Sequence, residues 1–389
     1  MIKLPFVEKD KIAIVVVGYN RIKSLSRLLN SLLAAKYSHG DIPLIISIDA
    51  SGCEDLYEYV EEFEWPYGTK YVNIEKKRLG LKKHIYQCGD LTKDFKAIIL
   101  LEDDLFVSPY FYSYTEKVVD KYGEDNGIAE ISLYKNETNG IIGVPFVNIQ
   151  DGNDVFLMQD VSTWGQCWTE KMWKSFVSWR DTHTEEDIQN VDMPERIKNW
   201  TRAWSKYFNA YVADTGKHVL FPNISLTTNF SDAGEHGGDN NSIVQVNLLQ
   251  NDFDYRLNDL DKLVKYDIFG NNELIYDWLG ITCEELSLDL YGMRTSHNNK
   301  RYILSCLKLP YQVSKSFALN MRPIELNIKF NIEGNGIFLY DTTIPIKKWR
   351  KKEYSKELTP YFLQGFNLKL LIKYIITVFP KTVMKKLFR

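Results

Sequence analysis

The run IAIVVVG at 12–18 does most to narrow the fold. Six apolar residues in succession, five of them β-branched, predict a strand buried on both faces rather than one with a wet side. LIISIDAS (44–51), YVNI (71–74) and AIILL (97–101) repeat the pattern. Between the first two runs, Ile22, Leu25, Leu28, Leu29, Leu32 and Leu33 recur at helical spacing. A charged, partly helical stretch containing His84 separates the last two. Strands alternating with helices predict an α/β fold: a Rossmann-like, mostly parallel sheet flanked by helices, with right-handed crossovers.

Such sheets bind ligands beyond the carboxyl ends of their strands. Three polar segments fall on that one rim: Gly18-Tyr19-Asn20-Arg21, Asp49-Ala50-Ser51 and Glu102-Asp103-Asp104. Adjacent carboxylates repel one another and are costly to desolvate, so the last segment must either fan out into water or hold a cation. A hard divalent ion, Mn2+ or Mg2+, takes oxygen ligands, often one or two carboxylates completed by substrate phosphates. The five cysteines are scattered without a CxxC pair, which predicts neither a zinc site nor a disulfide framework.

Beyond the strands, the stretch 12–114 resembles the nucleotide-sugar-binding half of metal-dependent glycosyltransferases with the GT-A fold. It is similar to N-acetylglucosaminyltransferase I and to related bacterial polysaccharide glycosyltransferases. The resemblance is carried by VVVGYNR (15–21), LIISIDAS (44–51), GLKKHIYQC (80–88) and LLEDDLFVSPYF (100–111). It continues through STWGQCWTEKMW (162–173), like the bacterial family's acceptor-side motif, and FPNISLTTNFSDAGEHGG (221–238), like its closing segment.

The resemblance implies Asp104 as the carboxylate touching the metal, with Glu102 and Asp103 facing the donor sugar and ribose. It places Gly18 and Arg21 near the donor's phosphates or base, Asp49 on the uridine side, and His84 and His236 against the donor. Each has a plainer alternative. Arg21 could open a helix and pair with an acid, Asp49 could cap the turn after its strand, and His84 could be a structural histidine. His236 could sit on an ordinary surface loop. The resemblance also implies inversion at the sugar's anomeric centre by an aspartate base, but that position is Ser205 here. A serine cannot act as a base near neutral pH; Asp160, Glu170 and Glu235 are candidate substitutes.

Residues 1–245 are thus expected to form the nucleotide-sugar and acceptor domain. A helical then β-rich extension is expected over 246–345, with a hairpin turning at Gly334-Asn335-Gly336. A basic tail is expected over 346–389. The stretch 347–389 carries 12 Lys/Arg against two Glu in a chain of formal net charge −3. Its apolar run, broken by Lys369, Lys373 and Pro380, is too short to span a bilayer and predicts an interfacial helix on anionic lipid.

The expected function is metal-dependent, inverting sugar transfer from a nucleotide-sugar donor, UDP-linked by resemblance. The acceptor would be a saccharide, free or lipid-linked, of surface-polysaccharide or glycolipid synthesis. No nucleic-acid partner is expected. With no apolar secretory leader at the N-terminus, the expected location is the cytoplasmic face of the inner membrane. Two alternatives stay open. One is a catalytically weak pseudo-transferase acting as a binding scaffold, which Ser205 favours. The other is a sugar nucleotidyltransferase, which the single glycine and single cation of Gly18-Tyr19-Asn20-Arg21 disfavour.

Overall fold

The computed structural model describes residues 2, 4–5, 7–140, 143–201, 203–234, 244–347, 358–363 and 367–377. The chain forms two compact units, Met1–Asp277 with Met293–Thr295, and Trp278–Gly292 with Ser296–Arg389.

The first unit is built on one mixed sheet. Its strands are β1 (Glu8–Gly18), β2 (Leu44–Ile48), β3 (Lys70–Ile74), β4 (Phe95–Glu102), β6 (Ile128–Ser132), β9 (Val155–Met158), β10 (Gln166–Thr169), β11 (His218–Pro222) and β13 (Lys265–Tyr266). Shorter pairings join β5 (Leu105–Val107) to β12 (Thr227–Asn229), and β7 (Thr138–Asn139) to β8 (Val144–Pro145). The large sheet runs β13-β9-β11-β6-β10-β4-β1-β2-β3. Five of its eight neighbour pairs are parallel, including all of β4-β1-β2-β3, while β10 runs antiparallel between β4 and β6. The expected mostly parallel sheet is therefore present.

The apolar runs fill its centre: Ala13–Val16, Leu44–Ile46 and Ala97–Leu101 are all buried. At roughly 1.5–3 kcal/mol per fully buried large aliphatic side chain, these strands cannot be exposed without losing the domain. Helices α1 (Ile22–Leu33), α2 (Glu54–Glu62), α3 (Leu81–Gly89) and α4 (Phe111–Tyr122) come after β1, β2, β3 and β5 in sequence. α1 buries Leu25, Leu28, Leu29 and Leu32, the stripe that the spacing predicts. The later helices are α5 (Glu170–Arg180), α6 (Glu185–Asn190), α7 (Glu195–Lys198), α8 (Ser205–Thr215) and α9 (Leu274–Leu279). Trp168, Trp173, Phe176, Trp204 and Phe208 form one buried aromatic cluster between α5, α8 and the sheet.

The unit boundary differs from the expected break after residue 245. β13 joins the large sheet beside β9, with Leu157 N donating to Val264 O and Gln159 N to Tyr266 O. Residues 246–277 therefore complete a sheet edge of the first unit instead of starting an extension.

The second unit carries a four-stranded sheet in the order β14-β15-β17-β16. Its strands are β14 (Leu286–Asp289), β15 (Tyr302–Ser305), β16 (Tyr311–Phe317) and β17 (Ile337–Pro345), with Ile303, Phe338 and Tyr340 in its core. The expected hairpin is half right. β17 comes directly after the Gly334-Asn335-Gly336 turn, but its antiparallel partner is β16. The segment read as the other arm forms α10 (Leu326–Lys329). Asn327 explains this: its side chain accepts from Asn320 N and Met321 N and donates to Met321 O and Ile324 O, drawing 320–327 into a closed loop. α11 (Leu358–Leu363) and α12 (Leu368–Thr377) complete the described chain.

Candidate functional site

Register brings the three polar segments together. Gly18 pairs with Ile48, and Val17 with Glu102, so β1, β2 and β4 end side by side. A Cβ on Gly18 would lie 2.9 Å from Ile48 Cδ1, so a larger residue there would have to displace the Ile48 side chain. Above these ends lies a cavity of about 820 Å3 whose walls include Gly18, Arg21, Asp49, His84, Glu102, Asp103 and Asp104. Seven of the expected site residues thus meet at one cavity. His236 and Glu235 lie outside the described residues.

The cation beside the acidic turn is Arg21. Its Nε donates to Asp103 Oδ2 at 3.2 Å and its Nη2 to Asp103 Oδ1, a two-pronged pairing. Nη1 reaches Asp104 Oδ2 at 3.2 Å and the carbonyl of Asp232 at 3.0 Å. Burial works against the Arg21 charge, but hydrogen bonding and proximity to Asp103, and then to Asp104, outweigh it and raise its pKa. Burial pushes Asp103 up to about 6 even against the arginine. Glu102 rises to about 8, through burial first and then the neighbouring Asp104 and Asp103 charges.

Asp104 is held from a second side. β5 and β12 pair Leu105 with Asn229, Phe230 N donates to Asp104 O at 3.0 Å, and Asn229 Nδ2 donates to Asp104 Oδ1 at 3.2 Å. The acidic turn and the 227–232 segment are therefore one construction. Asp232 extends it. Its carboxylate accepts from Ser24 Oγ at 2.6 Å and from Arg27, fastening the segment to α1.

The expected metal role falls on Asp104 alone, and the geometry of the turn bears on how the other two carboxylates are used. Among the described residues, no three His, Cys, Asp or Glu side chains converge on a point that could hold a metal. Asp103 is turned into the Arg21 fork, which takes up the charge that a metal would otherwise neutralise. Asp104 is the carboxylate of the turn left outside the fork, with Oδ2 accepting from Arg21 Nη1 and Oδ1 from Asn229 Nδ2, and is of the oxygen-ligand type that a hard divalent ion takes.

Asp49 takes its plainer role. Its Oδ1 accepts from Ala50 N at 2.9 Å and Leu79 N at 2.8 Å, and its Oδ2 from Gly80 N at 2.9 Å. The carboxylate thus pins the end of β2 to the loop leading into α3, where Gly80 has φ +77, a conformation that favours glycine. His84 is buried, with Nε2 2.7 Å from Ser47 Oγ, and burial lowers its pKa.

Ser205 borders the cavity at the start of α8. Asp160 and Glu170 do not border it. Asp160 accepts from Asn136 Nδ2 and Val161 N, while Glu170 pairs at the protein surface with Lys9 and Lys174. Two of the base candidates drawn from sequence, Asp160 and Glu170, are thus displaced from the site they were meant to serve, and the third, Glu235, lies outside the described residues.

Sequence reasoning missed Arg78, Asn229, Asp232, Trp164 and Trp200, all lining the cavity. Arg78 stands over the Tyr19 ring, 4.8 Å from its centroid. Arg78 and Asp232 lie within or beside segments already singled out, but only the folded chain turns them inward. Trp164 and Trp200, both half-buried, form part of the cavity wall, whereas most other tryptophans are core.

No family model and no curated protein matches this chain. Solved structures do resemble it. The 1–349 fragment of S. aureus TarS matches at 12% identity and a TM-score of 0.36, covering 56% of this chain and 59% of that one. The same fragment in complex with UDP-GlcNAc matches at 12% identity and a TM-score of 0.38, covering 58% and 60%. The mannosyltransferase PcManGT from Pyrobaculum calidifontis, in complex with GDP-Man and Mn2+, matches at 15% identity and a TM-score of 0.27, covering 35% and 40%. The chain thus spans less than two thirds of the length of each.

Proposed function

We propose that the chain is a glycosyltransferase that moves a sugar from a nucleotide-sugar donor to a saccharide acceptor, by the inverting route implied by the motif resemblance. The observation that supports this best is the cavity at the ends of β1, β2 and β4, where Arg21 joins Asp103, Asp104 and the Asp232 carbonyl. In this reading, Arg21 and Arg78 face the donor's diphosphate, Glu102 and Asp103 face the sugar and ribose, and Asp49 and His84 shape the floor. A bound Mn2+ or Mg2+ would stabilise the charge developing on the leaving diphosphate, with Asp104 as its protein ligand.

The nucleotide is UDP in this reading, and the acceptor a saccharide of surface-polysaccharide or glycolipid synthesis. The test is a thermal-shift panel of UDP- and GDP-sugars with and without Mn2+, then nucleotide release from any that bind. No stabilisation by any nucleotide sugar would refute the donor site. Equal turnover by Asp104→Ala would remove the metal role.

Ser205 on the cavity wall supports a second reading, in which donor binds without turnover. That reading is preferred if UDP-sugar binds tightly while a broad saccharide panel gives no transfer.

Anionic membrane is the third partner we propose. α12 exposes Leu368, Leu370, Ile372 and Ile376 together with Lys369 and Lys373, an unusual apolar surface for a helix in water. No described helix is long and apolar enough to cross a membrane. A short, lysine-edged apolar helix suits the headgroup boundary.

A further inference from the structure

Beside the Trp204–Ser205 wall of the cavity lies a cluster of cations that the donor reading leaves unused. α3 lines the cavity with Leu81 and His84 and carries Lys82 and Tyr86 next to them. α8 lines it with Ser205 and carries Lys206 and Tyr207. α5 ends in Arg180, stacked 4.6 Å from the Tyr86 ring centroid. Tyr86 in turn meets Trp204 of the cavity wall, with centroids 6.4 Å apart.

The charges in this cluster do not cancel. Arg180 donates through Nε and Nη2 to Asp181 Oδ1, and Lys206 pairs with Glu185, which also accepts from Tyr207. Lys82 has no carboxylate partner among the described residues. Its ammonium sits 3.9 Å from the Tyr207 ring centroid and 5.9 Å from that of Tyr86. Burial lowers its pKa; the Glu185 charge opposes this, and the weaker influences of Arg180 and Lys206 add to it. None of the three cations lines the cavity itself: Lys82 follows the cavity-lining Leu81 and Lys206 the cavity-lining Ser205, so the cluster is a patch of net positive charge next to the Trp204–Ser205 wall of a cavity that Glu102, Asp103 and Asp104 make acidic.

We infer that Lys82, with Arg180 and Lys206 behind it, forms a subsite for an anionic group on the acceptor, so that the acceptor is a saccharide bearing a phosphate or a carboxylate. This rests on the proposed transferase reading and specifies its acceptor. The two tyrosine faces hold the Lys82 ammonium by cation–π contact while leaving its N–H donors free. Charge-assisted hydrogen bonds to phosphate or carboxylate oxygens would use those donors.

The test uses the full chain saturated with UDP, so that the donor side is blocked, and three probes: glucose, glucuronate and glucose 6-phosphate. Binding is read by saturation-transfer NMR titration. The expected result is that one or both anionic probes bind about tenfold or more tightly than glucose, a preference that weakens with salt. Lys82→Met should reduce the preference to about twofold or less, Lys82→Arg should keep it, and Lys82→Glu should reverse it. Equal binding of all three probes, or a preference untouched in both Lys82→Met and Lys82→Glu, would overturn the inference. Anionic probes that bind the UDP-free chain but not the UDP-saturated one would do so too, since that would put them in the donor site. Failure of UDP itself to bind would sink the donor reading instead, and the probe comparison can still be read without it.

Discussion

Arg21 and Asp103 face each other as fork and carboxylate, with Nε to Oδ2 at 3.2 Å and Nη2 to Oδ1, at the point where the acidic turn leaves β4. The Asp103 side chain is only 6% exposed. Removing the guanidinium would strand a buried charge, which costs more than the pair contributes when intact. Arg21→Met should therefore destabilise the fold by about 2–4 kcal/mol, measured by urea unfolding. Arg21→Lys should recover only part of this, because one ammonium cannot serve both oxygens. Wild-type stability in Arg21→Met would dismiss the pairing as decoration.

The Asp49 bridge makes a separate prediction. Asp49→Asn keeps the shape but replaces one acceptor oxygen with a donor, set against the N–H of Leu79 or Gly80. The cost should be about 1–3 kcal/mol. Nucleotide affinity should fall in parallel, since the same loop carries Arg78. If stability is unchanged and only affinity falls, Asp49 contacts the nucleotide and its backbone bonds are incidental.

His84 sets a pH dependence. Burial lowers its folded pKa below the ordinary 6.5. Its contribution to stability is therefore complete above pH 6.5 and is lost as pH falls, because the unfolded chain takes up the proton more readily. The melting temperature of the wild type should drop more steeply between pH 7 and 5 than that of His84→Gln. Parallel curves would show that the histidine charges freely inside the fold.

Truncation after Leu363 removes α12 together with six of the 12 Lys/Arg of the basic C-terminal stretch. The shortened protein should lose sedimentation with anionic vesicles while keeping nucleotide binding, and high salt should weaken binding of the full chain. Equal sedimentation of the two forms would end the membrane proposal.

Much of this site was readable from the linear chain because parallel sheets obey a simple rule. A run apolar on both faces must be central, and its first polar residues must emerge at the sheet's carboxyl edge. Gly18-Tyr19-Asn20-Arg21, Asp49 and Glu102-Asp103-Asp104 were found that way. The segment 325–330 misled because alternating Leu326, Ile328 and Phe330 suit a strand, while the Asn327 side chain, not the periodicity, set the outcome. β13 was invisible for another reason. A two-residue edge strand carries almost no pattern of its own.

The amino-acid sequence alone determined the buried strands, the helix stripes between them, and which polar segments share a rim, since each depends on local apolar spacing. Only the folded molecule decided how the acids are used. Arg21 and Asp103 are 82 residues apart, and Asp104 meets Asn229 across 125. Whether a carboxylate faces an arginine, a backbone amide or open cavity depends on which distant side chain arrives beside it. Charge interactions act over a few ångströms of space, and chain order does not encode that distance.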